Sequence, residues 1–539
     1  MKNISFSKVM MFVALTAFIA SCGKKLDLFP QHDLTQEQVY ASAAGYKSIL
    51  AKLYGTLSIS GNSGPSGQPD IAGGLDEGSQ VGFIRGFFNL QELPTDEAVV
   101  AWDDQTIKSF HNLSWNSADP FILGMYARPI YNITLINEYI RQASDANLAS
   151  RNITGADADE IRKTKAEARF LRAFNYWVML DLFGKSTFIT EADGVGTFLP
   201  VEKSRTELFT YIESELLAIQ NDLATVKTAE YGRVDQGANW GLLARLYLNA
   251  KVYTGADKNT EAITYAAKVI NGGYSLQPKY AQLFMADNEK RKDEIIFAIN
   301  CDGLRTQSYG NTTFFIHAPA GADNADFGAS GGWAGYRATK GLADLFPADG
   351  SGNLDTSKDL RATSFYTSVR KASPSQIAIT NIGDFSTGMA VRKYINKRSD
   401  GLPVSDITLA FSDVDYPVMR LPEMYLIYAE AVLRGGTGGS SATALNYVNL
   451  VRARSQATQW SGAELTLQNI LNERGRELYW EGHRRTDLIR YNLLTTGSYL
   501  WPWKGGVASG TSVDSKYNIY PIPSANRTAN TNLTQNAGY

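Results

Sequence analysis

Adjacent carboxylates, a serine among glycines and a dense run of charge are the residues whose types and spacing could do chemistry. Asp96-Glu97 and Asp103-Asp104 are neighbouring acids in a Gly-rich stretch. Glycoside hydrolysis needs two carboxyl groups at a set distance across a sugar bond, and adjacency in sequence does not supply that distance. With 54 acidic residues, some adjacency arises by chance. Gly328-Ala329-Ser330-Gly331-Gly332 matches GxSxG, but a nucleophile elbow needs a strand before the serine and a helix after it. The flanks Asn324-Ala325-Asp326-Phe327 and Trp333-Ala334-Gly335 read as polar, Gly-rich loop, so the match is incidental. No glycine loop of the phosphate-cradling type occurs. Cys22 and Cys301 form no CxxC pair, and His32, His111, His317 and His483 are far apart, so structural zinc and a disulfide framework are not expected. No cofactor motif is present; a structural calcium ion among acidic loops such as Asp413-Val414-Asp415 stays open. The run Asn472 to Arg490, NERGRELYWEGHRRTDLIR, puts Glu477 and Glu481, then Glu481 and Arg485, four apart on one helix face. An anion site is one reading; an ion-pair network closing the end of a helical stack, with one packed and one solvated face, is preferred.

The elements that must position such residues sit in a chain of 539 residues, 44% hydrophobic and 20% charged, an ordinary globular composition. A net charge of -2 leaves no basic footprint for nucleic acid. Residues 1–21 carry Lys2 and Lys8 beside a short apolar stretch over 9–20, the pattern of a secretory signal. Phe18-Ile19-Ala20-Ser21-Cys22-Gly23 places small residues directly before a cysteine, as in a bacterial lipobox. Acylation of Cys22 would add two or three chains, enough for stable anchoring. The expectation is a lipoprotein signal over 1–21, a lipidated tether over 22–34 and one domain over 35–539. No other run approaches the roughly 20 apolar residues of a membrane helix.

Within 35–57, Val39, Ala43, Tyr46, Leu50, Leu53 and Leu57 alternate by four and three, a buried helical stripe, and Thr35 with Gln38 has capping-box spacing. Helical patterns recur at 121–146, 158–183, 204–226, 237–253 and 259–271. The stretches 239–270 and 419–454 each read as helix, Gly-containing turn and helix, with alanines at close-packing positions, a tetratricopeptide-like scheme. Regions 58–116 and 302–415 are irregular and rich in Gly, yet carry aromatics that argue against disorder. The fold class expected is mainly α: a tetratricopeptide-like right-handed superhelix of helical pairs, with large irregular loop regions carrying little β-structure.

Several stretches resemble the SusD/RagB family. Glu167-Ala168-Arg169-Phe170-Leu171-Arg172-Ala173 with Asp181-Leu182-Phe183-Gly184 is similar to its AExRFLRA…DLFG signature. Arg420-Leu421-Pro422-Glu423-Met424-Tyr425, the charged run, and the ending Tyr520-Pro521-Ile522-Pro523…Gln535-Asn536-Ala537-Gly538-Tyr539 also follow the family pattern. The resemblance spans roughly 22–539. It implies a non-enzymatic lipoprotein of the outer membrane, facing the cell exterior, that captures glycan for a TonB-dependent transporter.

Asn89-Leu90-Gln91-Glu92, Phe284-Met285-Ala286-Asp287-Asn288 and Trp501-Pro502-Trp503-Lys504 resemble the family's starch-binding members, which grip helical α-glucan with an arc of aromatic rings. By local motif the resemblance maps that arc to Trp102, Tyr309 and Trp333, and the polar partners to Arg85, Asp76 and Gln105. The sequence departs from those members at Val100, where they carry an aromatic, and at Gln105, where they carry Asn; the segment after Trp333 is shorter. The chemistry suits the assignment: a pyranose has an apolar C–H face that flat rings cover, and hydroxyls that forked charged groups hold. Each ring taken alone reads equally well as core packing. The alternatives are a binder of another glycan on the same scaffold, a lipid-anchored glycoside hydrolase, and a structural tetratricopeptide adaptor.

Overall fold

The computed structural model describes residues 35–66, 69–71, 74–75, 77–194, 196 and 198–539. The expected signal, the acylation site Cys22, the tether over 22–34 and the expected site residue Asp76 lie outside the described residues. The scaffold helices are α1 (Ala43–Ser58), α2 (Phe83–Gln91), α3 (Pro120–Gln142), α4 (Gly155–Phe183), α5 (Arg205–Ile219), α6 (Gln236–Leu248), α7 (Asn259–Ile270), α8 (Thr312–His317), α9 (Leu421–Leu433), α10 (Ser441–Arg454), α11 (Leu467–Leu478) and α12 (Arg484–Arg490). They pack in succession: α3 on α4, α4 on α5, α6 on α7, α7 on α9, and α9 on both α10 and α11. Side-chain caps start many of them. Asp119 accepts from two amides at the head of α3, Ser204 and Glu207 form a capping box at α5, and Asp235 caps α6. Strand content is small, as expected. Two short antiparallel pairs matter here: β1 (Val99–Val100) with β3 (Tyr336–Arg337), and β2 (Ile295–Ile299) with β4 (Tyr416–Arg420).

Three expectations are corrected. The single helix read over 35–57 is two. Thr35 and Gln38 do form a capping box, but the helix they open ends at Val39, and Ser42 caps α1 afresh by accepting from Gly45. Next, the region 58–116 is not all loop: α2, FIRGFFNLQ, carries an apolar stripe of Phe83, Ile84, Phe87 and Phe88 and is buried along its whole length, but it is short and its Gly-rich surroundings hide it.

The third correction concerns the charged run. It is an ion-pair network, as preferred, but it has no solvated face. Arg420 reaches Glu294 at 2.7 Å, Glu477 at 3.0 Å and Glu481 at 2.7 Å, while Arg361 joins Glu473 at 2.8 Å and Glu477 at 3.0 Å. All these groups are buried. α11 stops at Leu478, and Trp480 and Gly482 take left-handed backbone at φ +60° and +80° before α12 begins. Glu481 and Arg485 therefore share no helix face. Arg485 instead approaches Asp181 of α4 at 3.6 Å.

Candidate glycan-binding cleft

A cleft of about 550 Å³ is lined by Ser66, Glu77, Arg85, Trp102, Asp104, Tyr309 and Trp333. Four residues mapped from sequence, separated by as many as 248 positions between Arg85 and Trp333, thus meet in one place.

The scaffold reaches the cleft through α2. Its Phe88 lies at the centre of a ring cluster, 4.9 Å from Phe315 and 5.1 Å from Trp480 between centroids, which docks α8 on the helical stack. One turn earlier Arg85 comes to the cleft. Its backbone amide donates to the Gly310 carbonyl at 3.0 Å. That crossing is tight: a Cβ on Gly82 would lie 2.9 Å from the Gly310 Cα, and one on Gly310 would lie 2.3 Å from the Ser79 carbonyl oxygen. Only glycine at both positions lets the chain bring Tyr309 beside Arg85.

Trp333 and Trp102 are set by backbone pairing. The Trp333 amide donates to His317 at 2.9 Å and that of Ala334 to Ala320 at 2.7 Å. β3 follows and pairs with β1, so that the Ala101 amide donates to Gly335 at 2.9 Å and Trp102 emerges next to it. The indole lies directly on the Gly335 backbone, where a Cβ would sit 2.3 Å from the Trp102 Nε1. Gly335 has φ +103°, and non-glycine residues with left-handed backbone flank the rings at Ala334 (φ +50°) and Gln105 (φ +42°). Such strain collects where surrounding structure holds a functional loop in shape.

The three rings turn progressively and do not stack on one another. Trp102 and Trp333 have centroids 6.4 Å apart and planes at 53°; Tyr309 and Trp333 are at 5.5 Å and 74°. Each is partly exposed and backed by a further ring: Tyr336 behind Trp102 at 4.9 Å, Phe411 stacked on Tyr309 at 5.3 Å, His317 stacked on Trp333 at 5.0 Å. That makes a concave, rigid apolar surface. Arg85 is buried at its base, 3.2 Å from Glu77 and 3.3 Å from the Ser79 hydroxyl, with its guanidinium 4.8 Å above the Phe314 ring. The pair presents both a forked cation and a carboxylate to the cleft.

Gln105 is exposed on the turn after Trp102 and donates to the Gly74 carbonyl at 3.2 Å; it borders the cleft and does not line it. Glu77 and Ser66 were missed from sequence, and Asp104 was weighed only as one of a pair of acids for hydrolysis. Asp104 and Glu77 each adjoin a residue that the motifs had marked, and for Glu77 that is the only signal.

The other carboxylates have structural duties. Asp96 makes a two-pronged pair with Arg484 at 2.6 and 2.7 Å, and Glu97 accepts from the Trp480 amide at 3.0 Å. Asp103 pairs with Lys108. Ser330 lies in a loop and its amide donates to Leu409, with no strand before it. Asp413 accepts from Gly303 at 2.8 Å and Ser405 at 2.6 Å, and Asp415 from the Cys301 amide at 2.7 Å. Among the described residues no three His, Cys, Asp or Glu side chains gather to hold a metal ion, and no helix is long and apolar enough to cross a membrane.

The family model described as the SusD family matches residues 293–539. The starch-binding protein SusD of Bacteroides thetaiotaomicron is 37% identical over 98% of each chain. A SusD superfamily protein from Parabacteroides distasonis has a similar structure, with TM-score 0.70 at 21% identity over 94% of this chain and 100% of that one. Surface glycan-binding protein A from Bacteroides thetaiotaomicron, solved with laminarihexaose, gives TM-score 0.66 at 19% identity over 92% and 99% of the two chains. With helical packing and full-length similarity in agreement, the chain belongs to the SusD family.

Proposed function

We propose that this protein is a lipid-anchored glycan-binding protein of the outer-membrane surface. It captures starch and related α-glucans, malto-oligosaccharides among them, and passes them to a TonB-dependent transporter. One observation carries the reading: three partly exposed rings, each turned against the next, enclose a cleft with Arg85 and Glu77 at its base. Flat rings cover the C–H faces of successive pyranoses at little conformational cost, and the turn between rings suits the curl of an α-linked chain. The starch-binding relative supports the same ligand. Of the acidic pairs that could have served a hydrolase, Asp96 is paired with Arg484, Glu97 accepts from the Trp480 amide and Asp103 is paired with Lys108. Asp104 lines the cleft, where the other carboxylate, Glu77, is paired with Arg85, and this supports capture without cleavage.

Native affinity gels containing starch, pullulan, laminarin, inulin or xylan test this. Retardation by starch and pullulan is the expected result. Retardation by laminarin alone would favour the second reading, another glycan on the same scaffold, for which the laminarihexaose complex of a structural neighbour speaks. Release of reducing sugar from starch would restore the hydrolase.

A further inference from the structure

His317 ends α8 directly behind Trp333 and is buried. Its ring lies 5.0 Å from the indole with the planes only 18° apart, and its own carbonyl accepts from the Trp333 amide at 2.9 Å. Nδ1 is 2.7 Å from the carbonyl oxygen of Gly331, two residues before Trp333. Nε2 is 3.0 Å from the carbonyl oxygen of Ala410, next to Phe411, whose ring stacks on Tyr309. One side chain therefore ties the loop that carries Trp333 to the loop whose Phe411 backs Tyr309.

Both of those partners are acceptors only. A neutral imidazole has a single N–H, so in that form one of the two carbonyls faces a lone pair; the imidazolium donates to both. A positive ring is also drawn to the indole face it already lies against.

We propose that His317 is a positioning residue of the cleft: it locks Trp333 and the Phe411–Tyr309 stack in register, and the lock closes fully when the imidazole takes up its second proton, so that glycan is held more tightly as pH falls. The proposal deepens the glycan-binding reading and rests on it. Burial lowers the His317 pKa from 6.5, and the Ala410 and Gly331 carbonyls only partly restore it, so the lock engages on the acid side of the ordinary histidine range.

The charged groups of the surrounding elements already have partners. Asp406 accepts from the Ala410 and Phe411 amides, Asp413 from Gly303 and Ser405, Asp323 pairs with Arg370 beneath 319–321, and Arg85 pairs with Glu77. Among the described residues the hydrogen bonds of the His317 ring go to these two carbonyls and to no carboxylate.

The test has a sugar-free arm and a sugar arm. In protein carrying fluorotryptophan, the Trp333 fluorine resonance, assigned with Trp333→Phe, is followed from about pH 7.5 to about pH 5, the range in which histidine titrates. It should move with one proton in wild type and stay still in His317→Phe; His317→Gln, which keeps a polar side chain, serves if the Phe variant fails to fold. Isothermal titration with maltoheptaose over the same range should show wild type binding about three- to tenfold more tightly at the acid end, the worth of one added hydrogen bond. The variants should bind weakly with a flat profile. A Trp333 resonance that does not titrate, or pH profiles that run parallel in wild type and variants, would overturn the proposal. If wild type binds no maltoheptaose at any pH, the α-glucan reading fails, and the fluorine titration still decides whether His317 sets Trp333.

Discussion

At the scale of single residues, the cleft separates two fates of an aromatic ring. Phe88 and Tyr336 are fully enclosed, whereas Trp102, Tyr309 and Trp333 keep part of their surface exposed, Trp102 and Trp333 against the buried rings of Tyr336 and His317 and Tyr309 against the half-buried Phe411. Replacing any one of those three by Ala should weaken binding to amylose and cyclodextrins, by about 2 kcal/mol for the central ring Trp333, as for an anchor in a desolvated contact. The circular dichroism spectrum and melting temperature should change little. A core aromatic replaced by Ala would instead lose about 3–5 kcal/mol of folding stability and bind normally once folded, so melts and starch gels on the same variants tell the two apart. Arg85→Ala should reduce binding by about 1.5–3 kcal/mol, the range of a charge-assisted hydrogen bond. It should also show a measurable stability loss, because Glu77 is left without its cation.

Elements are joined at the end of the stack by buried charge. Glu477 of α11 meets Arg361, Arg420 of β4 and Arg454 of α10. Burial raises its carboxyl pKa, but Arg454, Arg420 and Arg361 outweigh burial and hold it at about 2. Glu477→Ala strands these cations and should remove about 3–5 kcal/mol of stability, read by urea unfolding, while starch retention per folded molecule survives.

The turn after α2 has the opposite bias. Burial, opposed chiefly by Arg484, pushes Glu97 up to about 7, and burial together with Glu97 raises Glu92 well above the usual carboxylate range. A group whose folded pKa is raised contributes stability that is full below its unfolded value of 4.5 and is lost as pH rises through about 7. Glu477 does the reverse, contributing above 4.5 and losing its share as pH falls towards 2. Thermal melts of wild type should therefore decline from about pH 5 to about pH 8, and Glu97→Gln should flatten that decline. Parallel melting curves would show that the pair carries no such linkage.

For the whole molecule, the placement that matters is relative to a membrane. Cys22→Ala should release the protein from the outer membrane without changing its fold or its retention on starch gels. Fractionation of cells checks this, and equal membrane retention of both forms would remove the lipid anchor from the proposal. Protease shaving of intact cells tests the outward orientation, since a surface-facing domain is cut and an inward one is protected.

What the sequence by itself determined lies in local periodicity and local motif. Amphipathic stripes and caps marked α1, α3 to α7, α9 and α10, because a helix on a core repeats its apolar face every three or four residues whatever lies opposite. Motifs in order along the chain led to the family and to Trp102, Tyr309, Trp333 and Arg85 as candidates. Only the tertiary structure decided the rest. α2 escaped because its stripe spans only nine residues between irregular Gly-rich segments, and the packing that buries it comes from distant parts of the chain. The break at Trp480 escaped because the turn is held by Glu92 and Glu97, almost 400 positions away, which accept from the amides of Gly482 and Trp480. The cleft escaped for the same reason: rings at 102, 309 and 333 meet because Gly82 and Gly310 let two backbones cross and because β1 pairs with β3. Contacts between distant segments leave no period in a sequence. His317 is the clearest case, a lone histidine with no motif around it, whose position between two carbonyls and an indole exists only in the folded chain.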